Sequence, residues 1–130
     1  MIPSNHSACG QRIQRSRRKG SALPEGAVYV GRPTIWGNPF TGRGMNHARS
    51  VIIHRQWLLG RVGDLTLERM GFGAGEVEAL HRLRERVMRR MHELAGKNLA
   101  CWCPLTSEWC HADTYLLLAP QFAELERYAA

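Results

Sequence analysis

Between residues 76 and 95, apolar side chains return at steps of three or four: Val77, Leu80, Leu83, Val87, Met91 and Leu94. That period places them on one stripe of a helix and predicts a helix over 76–95. Its other faces carry Arg82, Arg84, Arg86, Arg89 and Arg90, and Gly96 suits its C-terminal end. Val51, Ile52, Leu58 and Leu59, with Trp57 beside them, predict a second helix over 47–59, with Asn46 as its cap and Gly60 as its stop. Residues 111–118 read as a third helix that Pro120 ends or bends, followed by a helical tail to residue 130. Two short apolar runs, 27–30 (AVYV) and 99–103 (LACWC), read as buried strands.

The remainder lacks such periods. Residues 31–44 (GRPTIWGNPFTGRG) hold four glycines, two prolines and two aromatics, so they form a loop that must pack on something or bind something. Residues 60–75 are interrupted by glycines and allow at most a short helical piece at 65–70. Residues 1–22 are polar and aperiodic, and read as a flexible basic arm. Two strands separated by a helical crossover predict an α/β fold: one small domain over 23–130, with a two- to three-stranded parallel sheet flanked by helices.

Charge changes this picture less than its total suggests. The chain has 130 residues and a formal net charge of +7. Arg12, Arg15, Arg17, Arg18 and Lys19 supply +5 of it from a stretch with no Asp or Glu, so the expected domain is near neutral. Basicity therefore assigns phosphate contacts to the arm. No apolar run approaches 18 residues and no apolar leader core is present, which predicts a cytoplasmic protein without a membrane span. Cysteines in that compartment serve as core residues, metal ligands or reactive thiols.

Two stretches carry candidate chemistry. In the first, Cys101 and Cys103 share a strand face, and the loop 105–109 can return Cys110 and His111 beside them. Three thiolates and an imidazole make a sensible zinc set. Cys110 at a helix N-terminus can instead be a nucleophile, with His111 as acid or base and Asp113 as its orienting partner. The same cysteines can also be small core residues, and Asp113 a simple cap. In the second stretch, Trp36 can stack on a base, Asn38 can read a polar edge, and Arg32 can hold an anion. Equally, Trp36 and Phe40 can seal the core while Asn38-Pro39 makes a turn. His47 and His54, seven residues apart on one helix face, can complete a site with this loop or sit partly exposed beside Arg49 and Arg55. No dinucleotide or P-loop glycine motif is present.

Taken together, VYVGRPTIWGNPF, HRQWL and GKNLACWCPL…CHADTYLL resemble a family of small phage and bacterial proteins, domain of unknown function family 4326. The resemblance spans residues 27–118 and excludes the arm. It implies a shared fold and a bacterial or phage-infected cytoplasm, and supplies no activity. The leading expectation is a cleft between the two stretches that binds a nucleotide or nucleic-acid component, with or without a reaction. Two alternatives stand beside it: a non-enzymatic nucleic-acid-binding module with a structural zinc site, and a phage adaptor that docks a host protein.

Overall fold

The computed structural model describes residues 10–129. Three short strands form one parallel sheet: β1 (Arg12–Gln14), β2 (Val28–Tyr29) and β3 (Leu99–Cys101), in the spatial order β1-β3-β2. Four helices accompany it: α1 (His47–Leu58), α2 (Asp64–Arg69), α3 (Ala74–Arg90, tightening into a 3-10 turn over Met91–Leu94) and α4 (His111–Ala129). The α/β class and the parallel sheet agree with the sequence reading. No helix among the described residues is long and apolar enough to cross a membrane.

The arm needs correction. Residues 1–9 lie outside the described residues, but Arg12–Gln14 is an edge strand, in register with Leu99, Ala100 and Cys101. The pairing is closed by Leu99 N–H to the Gln11 carbonyl (2.9 Å) and Arg15 N–H to the Cys101 carbonyl (2.7 Å). Gln11 N–H also donates to Asn98 Oδ1 (2.9 Å). Just before the strand, a side chain at Gly10 would collide with the Lys97 carbonyl. An edge strand is stabilised mainly by its ladder, so a polar segment with Ile13 as its lone apolar residue can still fold. The domain therefore begins inside the segment read as an arm.

β3 is buried at all three positions because it has a strand on each side and helices over it. In α1, Asn46 Oδ1 accepts the N–H of Arg49 (2.8 Å), and Val51, His54, Trp57 and Leu58 face inward. Glu76 reaches back to Gly73 N–H (2.9 Å) to start α3, whose buried residues Val77, Leu80 and Val87 continue into Met91 and Leu94. Helix α4 runs through Pro120 without ending. Proline leaves the Leu116 carbonyl without its usual helical donor, and the Gln121 amide donates to the neighbouring Leu117 carbonyl (3.1 Å).

The loop 31–44 folds into the core. Phe40 packs edge-on against Trp57 (5.7 Å between ring centroids) and Phe72 (5.8 Å), and Trp36 packs edge-on against Tyr115 of α4 (5.6 Å). The Tyr115 hydroxyl donates to the Trp36 carbonyl (2.8 Å). It therefore accepts from His54 Nε2 (3.2 Å), which fixes the proton of His54 on Nε2 and leaves Nδ1 buried without a partner.

Candidate metal centre and basic aromatic surface

Cys101 ends β3, and Cys103 lies just past the sheet. Cys110 precedes α4, its carbonyl accepting Asp113 N–H (3.0 Å) in the first turn. Their three sulfurs lie within 4.8 Å of one another, a grouping that could hold a metal ion. Cys101 Sγ and Cys110 Sγ are 3.1 Å apart. Both residues are buried, while Cys103 is half-buried. The hydrogen bond between the two buried sulfurs splits them. It pulls Cys110 well below the ordinary thiol range, with help from His111 and the Ala112 N–H at the helix start, and it pushes Cys101 up. Burial also raises Cys103. The cluster thus favours deprotonation at Cys110, the sulfur beside the start of α4.

Arg12 holds the loop that brings Cys110 back. Its guanidinium donates to the carbonyls of Leu105 (2.9 Å) and Ser107 (2.8 Å) and to Asp113 Oδ2 (2.8 Å). This side chain is only 10% exposed and turns inward, away from the phosphate role expected of it. Asp113 consequently pairs with Arg12 and not with His111. Burial raises its pKa and Arg12 opposes the shift.

The expected companions of the cysteines are distributed differently. His111 Nε2 is 2.7 Å from the Val30 carbonyl, and its ring packs edge-on against His54 (5.9 Å) and Tyr115 (6.1 Å), so it meets Cys110 from the core side of the cluster. His47, at the start of α1, instead brings Nε2 to 3.9 Å from Cys103 Sγ and 2.7 Å from the Trp109 carbonyl. The sequence pairs His47 with His54 and the 31–44 loop, and no motif ties it to the cysteines. Its part follows from where the Asn46 cap sets the first turn of α1, a tertiary placement.

The two motif stretches do meet, as Trp36–Tyr115 and Val30–His111 contacts. Trp36 is only 4% exposed, however, and Asn38 is buried with its amide on the Ser50 carbonyl (3.2 Å) and its Oδ1 on Phe40 N–H (2.9 Å). Both are committed to packing, and Arg32 is exposed at the head of a cis peptide to Pro33. Trp109 and Tyr128 are exposed as well, but the accessible aromatic beside β1 is Trp102. Cys101 and Cys103 turn toward the cluster and leave the residue between them outside. Arg15 and Arg17 place their guanidinium carbons 4.8 and 4.3 Å from the Trp102 ring, and Arg15 also lies 4.6 Å from Tyr29. Trp102 Nε1 donates to the Tyr29 hydroxyl (3.0 Å). Beside them runs a surface groove of about 550 Å³ lined by Gln14, Arg15, Ser16, Arg17 and Trp102. Among the described residues, neither Arg15 nor Arg17 has a carboxylate partner. The alternation C-W-C carries the signal for an outward Trp102, which the sequence reading passed over in favour of Trp36.

No curated protein and no solved structure matches the chain. A family model does match, over residues 13–120, starting within β1 and ending in α4. The chain therefore belongs to the family described as Domain of unknown function (DUF4326).

Proposed function

We propose that this protein is a non-enzymatic module for single-stranded nucleic acid, in which a zinc ion on Cys101, Cys103 and Cys110 stiffens the loop that presents Trp102. The observation that carries this reading is the pair of carboxylate-free guanidiniums of Arg15 and Arg17 stacked on an exposed tryptophan. Guanidiniums take phosphates, and an indole face takes an unpaired base. The exposed Arg18 and Lys19 extend the same positive edge. Burial of Cys101 and Cys110 favours a structural ion over a nucleophile, because a substrate cannot reach them. Free thiols of this kind suit a reducing cytoplasm. A nucleotide is read here on the outer surface, and Trp36 and His111 belong to the packing around Tyr115.

Fluorescence anisotropy with a labelled single-stranded oligonucleotide tests the proposal. Trp102→Ala should weaken binding roughly 5- to 150-fold, the range for one lost base stack. Arg15→Ala with Arg17→Ala should flatten the slope of log affinity against log salt by about 1.4, or about 0.7 per phosphate contact. Absence of binding at low salt, or an unchanged slope in the double variant, would leave the host-protein adaptor as the better reading.

A further inference from the structure

We propose that His47 is the fourth ligand of a zinc ion held by Cys101, Cys103 and Cys110, which makes the site a Cys₃His centre tying α1 to β3 and α4. The inference rests on the reading that the three cysteines hold zinc. Structural zinc is almost always four-coordinate and tetrahedral. The thiols supply three ligands, so the geometry must name a fourth.

Two histidines border the cluster. His111 reaches Cys110, but its Nε2 is held on the Val30 carbonyl and its ring is wedged against His54 and Tyr115, so it cannot shift without unpacking the core. His47 is turned toward it. Zinc–sulfur and zinc–nitrogen bonds of about 2.3 and 2.0 Å place tetrahedral neighbours about 3.5 Å apart. His47 Nε2 stands 3.9 Å from Cys103 Sγ, a few tenths of an ångström beyond that separation. Its side chain belongs to an exposed residue, so the ring can shift without unpacking the core.

The proton inventory closes. At 2.7 Å from the Trp109 carbonyl, Nε2 is the protonated nitrogen of the neutral ring. Metal binding moves that proton to Nδ1 by exchange with water and leaves the Trp109 carbonyl to the Ser107 hydroxyl (2.9 Å). The protons of the three thiols leave to water as Cys101, Cys103 and Cys110 bind as thiolates. The assembled centre carries one net negative charge, three thiolates against a divalent ion, and Arg12 is the cation held against its loop.

The test loads the full chain with cobalt(II) as a spectroscopic stand-in for zinc, and measures zinc affinity by chelator competition. Wild type should take one cobalt ion, with thiolate charge-transfer bands and the strong visible bands of a tetrahedral site. His47→Ala should shift the visible bands and weaken zinc at least tenfold, whereas His111→Ala should leave the visible bands of the tetrahedral site in place. Imidazole nitrogen NMR of the zinc-loaded wild type, which needs no variant, should show one histidine metallated at Nε2 and protonated at Nδ1, absent in His47→Ala. A cobalt spectrum that His47→Ala leaves untouched, or one that His111→Ala shifts instead, overturns the assignment while the three-cysteine reading stands. A wild-type chain that takes no metal overturns both.

Discussion

Replacing Arg12 with alanine should destabilise the fold far more than an edge-strand arginine ordinarily does. The side chain makes two short bonds to the Leu105 and Ser107 carbonyls and one to Asp113. Charge-assisted bonds are worth about 1.5–3 kcal/mol each when buried. The loop carbonyls are partly open to water, so about 1 kcal/mol apiece is the appropriate figure. Asp113 is 42% exposed, which holds its ion pair to at most about 1 kcal/mol. The total is about 2–3 kcal/mol, or roughly 8–12 °C in melting temperature for a domain of this size. Urea unfolding followed by tryptophan fluorescence, in reductant and chelator to remove metal linkage, measures it. Arg12→Lys should recover only a minor part, since an ammonium cannot span two carbonyls and a carboxylate in the same plane. Arg17→Ala is the control and should stay within about 0.5 kcal/mol. A loss below about 0.5 kcal/mol for Arg12→Ala would refute the clamp and return Arg12 to the solvated arm.

Tyr115→Phe removes the buried donor to the Trp36 carbonyl and the acceptor of His54 Nε2, and should cost about 1–3 kcal/mol in the same assay. A near-neutral result would mean that water replaces the hydroxyl. Stability should also fall with acidity. Burial, then the charge of His111, lowers the pKa of His54 well below 6.5 in the folded state, whereas the unfolded chain titrates near 6.5. The unfolded state therefore binds the proton first. Stability is complete above about pH 6.5 and declines from there toward the folded value, by up to about 1.4 kcal/mol per pH unit. Denaturation midpoints between about pH 7.5 and 5 that do not change would contradict this.

Periodic apolar positions made the helices legible. The stripe from Val77 to Leu94 is the inner face of α3 and the turn that follows it, and Asn46 caps α1 where its side chain predicts. The C-W-C alternation and the returning Cys110 were also readable, because strand geometry and a short loop are local facts. Three features were not. β1 has no apolar signature, and its partner lies 87 positions away (Arg12 opposite Leu99). The direction of His111 is decided by the Val30 carbonyl just past β2, a neighbour in space and not in the chain. Trp36 looked like a ligand wall because it sits in a Gly/Pro loop, but in a domain this small an aromatic loop is needed to close the core over Tyr115.

The order β1-β3-β2 has a consequence for how the protein is made. The central strand is the last of the three in the chain, so during synthesis neither Arg12–Gln14 nor Val28–Tyr29 has a sheet partner until residues 99–101 leave the ribosome. The apolar side chains of β2 and the 31–44 loop wait through that interval without a finished core. Nascent chains stalled before residue 99 should be the aggregation-prone and chaperone-bound species, and release past it should commit the whole domain at once.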